Sequence, residues 1–331
     1  MSGLDLGDPA SWRPVEEFPG QLFTERTWLV GAIILGVAYG VELTLFSQCM
    51  TLLIKQTKRA NLKSTMPLIV YISCLFICGS IFMGAAANMA RLSFIDNRNI
   101  PGGPSIYETV MFSIPVDNQG NAAFVIANWL ADGLMAWRWF VIYRTCKLHI
   151  AIVMFIPVAT LTTSFIMGTL FLVQVSAPAS SIWATNSINF TLPYFCISLA
   201  LNIVSTIAIV SRLLYYRHRT ASTLGTAHGT QYTTIASMLV ESAAVYSISS
   251  LLFLVPFIVE HPIQNVFLGL LSPAQVIAPL MIIYRVAQGR AWASNTATKI
   301  MTRNARSNGQ DFYLEEGRGE STPEFKPTGS I

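Results

Sequence analysis

The chain has 331 residues, of which 53% are hydrophobic and 11% charged, with a formal net charge of +4. Ordinary soluble domains carry about 25% charged residues, so this chain cannot clothe a water-facing surface of its size, and it reads as an integral membrane protein. No basic patch interleaves with aromatics, which removes nucleic acid as an expected partner and leaves the lipid bilayer.

Residues 1–27 are polar and hold Pro9, Pro14 and Pro19. No basic stretch leads there into a short apolar core, so the segment is expected to be a disordered outer tail without a cleavable signal peptide. A spanning helix needs about 20 mainly apolar residues. Seven stretches qualify, namely 28–54, 67–90, 122–143, 150–175, 192–214, 233–259 and 263–286. The expected fold class is therefore an all-α seven-transmembrane-helix bundle over 28–287, followed by a tail at 288–331. Pro273 and Pro279 interrupt the last stretch, as kinking prolines do in spanning helices.

Lysine and arginine set the orientation. With the N-terminus outside, the inner segments hold fourteen: Lys55, Lys58, Arg59, Lys63, then Arg144, Lys147, then Arg212, Arg217, Arg219, then Arg285, Arg290, Lys299, Arg303, Arg306. The outer segments hold four, Arg13, Arg26, Arg91 and Arg98. The expectation is N-terminus outside, C-terminus cytoplasmic, in the plasma membrane. Asn189-Phe190-Thr191 is a glycosylation sequon that this topology places outside, making Asn189 a glycosylation candidate. The second loop, 91–121, carries Pro101-Gly102-Gly103-Pro104 and is long enough to lie over an outward-facing cavity as a lid.

Charge inside a bilayer is costly, roughly 2.5–3.5 kcal/mol per residue on insertion scales, so each such group needs a partner, a water cavity or a role. Within the spans the strongly polar residues are Glu42, Asn88, Asp132, Arg138, Asn202 and Glu241. In the third span Asn128, Asp132, Met135 and Trp139 share one helical face, which should point into the bundle. Arg138 lies off that face, and Glu42 or Glu241 is its expected counter-ion. Asn202 with Ser198 and Thr206, and Ser80 with Gly84 and Asn88, form stripes of the helix-packing kind. Gly36 and Gly40 form a GxxxG element on nearly the opposite face from Glu42, a packing surface for a neighbouring helix or for a homodimer through the first span.

The five cysteines, Cys49, Cys74, Cys78, Cys146 and Cys196, all fall in spans or at their inner ends, so no structural disulfide is expected; Cys146 is a palmitoylation candidate. No lysine lies in any span, which excludes a retinal Schiff base. His149, His218, His228 and His261 are scattered, and no Walker loop or GxSxG is present. No cofactor, metal site or enzymatic activity is expected. Beyond the spans, 289–308 mixes Trp292, Ile300 and Met301 with four basic residues, the composition of an interfacial helix, before an acidic disordered end.

Three fragments carry a resemblance: Ala131-Asp132-Gly133 with Trp137-Arg138 and Tyr143-Arg144; Glu241-Ser242-Ala243-Ala244; and Pro273-Ala274-Gln275 through Ala278-Pro279-Leu280 to Arg285-Val286-Ala287-Gln288-Gly289-Arg290-Ala291-Trp292. Together they resemble a group of uncharacterised, receptor-like seven-helix membrane proteins of mushroom-forming fungi. The resemblance implies a fold and a membrane location. Tyr143 and Arg144 sit where G-protein-coupled receptors carry an acidic-Arg-Tyr switch, with the order changed and the acid missing.

The first expectation is thus a receptor-like sensor of a small or lipid-like molecule, held in a cavity bounded by spans three, five, six and seven, with a cytosolic effector of unknown kind. The alternatives are a proton-linked carrier using Asp132 and Glu241, and a structural membrane component without a ligand.

Overall fold

The computed structural model describes residues 19–57, 62–143, 150–177, 190–224 and 226–288. Arg144, Cys146, Asn189 and the tail from Gly289 onward lie outside the described residues. Eight α-helices follow in order: α1 (Pro19–Thr57), α2 (Leu62–Arg91), α3 (Pro104–Val110), α4 (Pro115–Tyr143), α5 (Ile150–Ser176), α6 (Thr191–Leu224), α7 (Thr226–Ile258) and α8 (Gln264–Gln288). A π-helical turn, Leu92–Asp96, continues α2. The residues up to Arg285 form one compact unit.

Six of these helices, α1, α2, α5, α6, α7 and α8, are long and apolar enough to cross a membrane. Their outward faces carry Ile33, Val37, Phe155, Val173, Ile207 and Val255, all more than half exposed. An apolar belt of that extent suits lipid and not water. The chain is a polytopic membrane protein. Besides the short α3, the helix missing from the six is α4, because Asn128, Asp132 and Arg138 interrupt its apolar run. It is also the hub: α4 packs against α2, α5 and α6, and the Gln275 amide of α8 donates to its Phe124 carbonyl at 2.9 Å. The outer side of α4 still exposes Ile126, Trp137 and Val141.

Two features depart from the expected layout. α1 begins at Pro19, ahead of the expected span and inside the stretch read as tail. At 1.5 Å per residue its 39 residues reach roughly 58 Å, well beyond a hydrocarbon core of about 30 Å. The extension has partners: Phe23 meets His261 edge-on at 5.9 Å, and Thr27 accepts from Asn265 at 3.3 Å. The second departure is α8, which runs without a break through Pro273 and Pro279 and is the most enclosed of the six.

Close helix contact comes from a pair of glycines that no sequence motif joins. A β-carbon on Gly31 of α1 would strike the Asn265 carbonyl of α8, and one on Gly269 would strike the Gly31 carbonyl. Gly40, by contrast, faces open space, and Gly36 meets only the Met83 methyl at 3.7 Å. The Gly40 end of the GxxxG face is therefore open, while its Gly36 end stands against α2.

The interior is layered. At the end where α1 starts, here the upper end, an aromatic core gathers Phe124, Phe171, Tyr194, Phe195, Phe253 and Phe257. At the lower end Trp139, Ile209, Leu213, Leu239 and Ile282 form a second core. A polar layer from α4, α5, α6, α7 and α8 separates them.

Candidate functional site

Among the cavities lined by described residues, two differ in their contents. The larger lies at the upper end and has a volume of about 100 Å³. Trp28, Phe82, Phe94, Phe112, Phe124 and Phe195 supply aromatic walls from α1, α2, the π-turn, the turn after α3, α4 and α6. Its roof is built from the second loop. Gly102 (φ 84°) and Gly103 (φ 79°) turn the chain through left-handed backbone that other residues adopt only with strain. Pro104 then starts α3, the position where a missing N–H costs a helix nothing. The Ser105 amide donates to Glu25 of α1 at 3.4 Å, tying roof to wall. Glu108 and Phe112 from this roof line the cavity.

Two carboxyl groups face this space. Glu108, buried, accepts from the Ser93 hydroxyl at 2.7 Å. Asp117, in the first turn of α4 and ahead of the apolar run at Ala122, accepts from Asn121 at 3.3 Å. Burial pushes Glu108 up to about 7, against the pull of the Ser93 hydrogen bond. Burial likewise pushes Asp117 up to about 7, reinforced by the neighbouring Glu108 and opposed by Asn121. No lysine, arginine or histidine is among the described residues of the lining.

The smaller cavity, about 30 Å³, sits in the polar layer between α4, α6, α7 and α8. These helices hold the stretches read as spans three, five, six and seven, which were expected to bound the ligand cavity. Asn128, Asp132, Met135, Asn202, Tyr246 and Gln275 line it. The polar groups are mostly engaged with each other. Ser164 of α5 donates to Asp132 at 2.5 Å, and its carbonyl accepts from Trp129 at 3.2 Å. Ser198 donates to Asn128 at 3.2 Å, so the 2.7 Å contact between Ser198 and Tyr246 has the tyrosine as donor. Asn202 donates to the Ala243 carbonyl and to Ser247 at 3.3 and 3.1 Å. A water needs about 10–15 Å³ measured this way, so this space suits about two waters. The buried Gln275 Oε1 has no partner among the described residues and is a group such a water would reach.

The remaining candidates are dispersed. Glu42 is buried on α1 with its carboxylate against the Gly79 backbone of α2, where any side chain at Gly79 would collide with it. Glu241 pairs with Arg285, at 2.6 Å, and so is not the counter-ion expected for Arg138. Arg138 instead lies within electrostatic reach of Tyr71, whose hydroxyl donates to the Leu130 carbonyl at 3.0 Å. Trp139 is core, stacked on Tyr143 at 5.2 Å. Tyr143 donates to the Ala208 carbonyl at 3.1 Å and lies 5.4 Å below the Arg212 guanidinium, which fastens the lower end of α4 to α6.

Of the face expected on α4, Asn128, Asp132 and Met135 come together at the smaller cavity with Asn202, while Trp139 lies in the lower core. Glu42, Arg138 and Glu241 stand apart from that cavity. Glu108 and Asp117 escape any search for charge inside spans because they lie in the connecting segment; only its PGGP turn, which signals a folded roof, points towards them. Among the described residues no three His, Cys, Asp or Glu side chains group as metal ligands. No protein-family model, no curated protein and no solved structure is significantly similar to the chain.

Proposed function

We propose that the chain is a receptor-like seven-helix membrane protein that takes a small, largely apolar molecule into the upper cavity, with α4 as its third span, the N-terminus outside and the C-terminus in the cytoplasm. The observation that carries this is the roofed, aromatic-walled space of about 100 Å³ at the upper end. A dry engineered cavity of about 150 Å³ admits benzene, so a ring or a short branched chain is the scale of group that fits. Ligand pockets are commonly concave, apolar and furnished with a few convergent polar groups. The lower end is built for rigidity, through Tyr143, Arg212 and the Glu241–Arg285 pair. A carrier that relays protons between Asp132 and Glu241 is the less favoured reading, because Arg285 occupies the Glu241 carboxylate.

The test uses the full chain in nanodiscs and a variant, Ala86→Phe, that fills the cavity from α2. Indole, naphthalene and neopentylbenzene are titrated and thermal unfolding is followed. At least one is expected to raise the melting temperature of the parent and to leave the variant unmoved; equal responses in both proteins would remove the reading. Proton-driven uptake or current in vesicles that disappears in Asp132→Asn would establish the carrier in its place.

A further inference from the structure

We infer that the upper cavity selects lipophilic cations, its preferred occupant being an ammonium group carried on a small apolar body, with Glu108 and Asp117 as counter-charges and Asn265 as a third acceptor. This rests on the upper cavity being the ligand site, and it adds the chemistry of the ligand. Three independent features of the wall converge on it.

The first is the charge balance. Two acids line the space and no described basic residue does. The other described charged groups at this end are committed elsewhere or lie off the wall. Glu25 of α1 accepts from the Ser105 amide, and Arg91 pairs with Asp96 at 3.6 Å where α2 meets the π-turn. Arg26, Arg98, Glu260 and His261 are not part of the lining. A cation entering here meets counter-charge that no side chain of the wall already neutralises.

The second is Asn265 of α8. The residue lines the cavity, its side chain is buried, and its Oδ1 has no partner among the described residues. The amide orientation is fixed by the neighbour: the Thr27 hydroxyl donates to the Thr24 carbonyl at 2.7 Å and so can only accept from Asn265 Nδ2. The atom left over is an acceptor, which suits an N–H or a positive charge and repels an anion. A buried amide oxygen without a partner is uncommon and calls for a ligand or a water.

The third is the aromatic wall. Six phenylalanines and Trp28 surround the space, and the negative faces of such rings attract cations, most strongly where water is excluded. Acids alone would attract a hydrated metal ion; acids inside an aromatic enclosure favour a poorly hydrated organic cation.

The experiment compares three probes of one shape in the full chain in phosphatidylcholine nanodiscs, with blank nanodiscs subtracted. Benzyltrimethylammonium carries a fixed positive charge, neopentylbenzene is its uncharged isostere, and phenylmethanesulfonate is negative. At pH 8 the ammonium is expected to bind roughly tenfold more tightly than neopentylbenzene, and the sulfonate not at all. The advantage should shrink towards unity at pH 5.5, where the two carboxyl groups are protonated, and vanish at pH 8 in Glu108→Gln/Asp117→Asn. If that double variant fails to fold, the pH comparison in the parent decides by itself. Neopentylbenzene binding as tightly as the ammonium at pH 8, and still blocked by Ala86→Phe, would overturn the cation preference and leave the cavity as an apolar site. Failure of all three probes to bind the parent more tightly than Ala86→Phe would overturn both.

Discussion

Two cavities of this bundle use polar residues in opposite ways. In the middle, Asp132, Asn128, Ser198, Asn202 and Tyr246 are hydrogen-bonded across four helices, and about 30 Å³ is left over. At the upper end, Glu108 and Asp117 each hold one local hydrogen bond and face about 100 Å³ of apolar space. The middle spends its polarity on joining helices; the upper end keeps acceptors in reserve. Depth in the membrane therefore does not distinguish a binding group from a packing group here. What distinguishes them is whether the protein itself supplies the partner.

The comparison is broken most severely by closing the gap between α1 and α8, since that contact carries one wall of the upper cavity. In Gly31→Leu the new side chain meets the Asn265 backbone, which cannot step aside as a flexible side chain would. Overpacking costs about 1–3 kcal/mol and occasionally more, and a clash with backbone belongs at the top of that range. The expected result is loss of the folded, monodisperse protein, with Gly40→Leu, which faces open space, close to the parent in the same elution and melting assays.

Acidity separates the two regions next. Glu108 and Asp117 both stand at about 7, above ordinary values of 4.5 and 3.8. Between those limits the folded state holds more protons than the unfolded state. Their contribution to stability is thus complete below the ordinary range and lost as pH rises through about 7. The ligand-free protein should lose on the order of a few kcal/mol between pH 5 and 8. Melting temperature against pH checks this; a flat profile in the parent, or an unchanged slope in Glu108→Gln/Asp117→Asn, would show that these acids are not the source.

A smaller effect tests the middle layer. Ser198→Ala removes the hydroxyl that relays between Tyr246 and Asn128 and leaves two buried polar groups short of a partner. That costs about 1–3 kcal/mol. Binding of neopentylbenzene in the upper cavity should be unchanged. A Ser198→Ala protein of full stability would mean that the layer is held by water and not by this relay.

Much of the architecture was legible before any coordinates. Apolar length locates the long helices, because lipid imposes that constraint on sequence directly. The face Asn128–Asp132–Met135 was legible as well, since helical periodicity alone decides which residues share a side. Contacts between distant helices were not. Nothing local distinguishes Gly31 and Gly269, which touch across α1 and α8, from Gly36 and Gly40, whose spacing looks like a motif and whose face is open at Gly40. The partner of Glu241 is a matter of which helix stands next to α7, and a sequence that offers Arg138 as its counter-ion does not show that. The roof was half legible: its PGGP turn is local, whereas the burial of Glu108 and Asp117 depends on α1 rising from Pro19 alongside them.

The Glu241–Arg285 pair gives the smallest expected effect and the sharpest test of helix neighbourhood. The side chains are 49% and 39% exposed, so a contact of 2.6 Å does not translate into the energy of a buried pair. Screened pairs contribute up to about 1 kcal/mol. Single variants Glu241→Gln, Arg285→Gln and Arg138→Gln, with the two doubles that contain Glu241→Gln, form two cycles. Unfolding in mixed micelles should show a coupling of about 0.5–1 kcal/mol between Glu241 and Arg285 and none resolvable between Glu241 and Arg138. The exchange Glu241→Arg/Arg285→Glu should recover part of what either single change loses, because the two positions face each other across α7 and α8. Coupling found with Arg138 instead would move α4 against α7 at this depth and undo the separation of a sealed lower end from an open upper one.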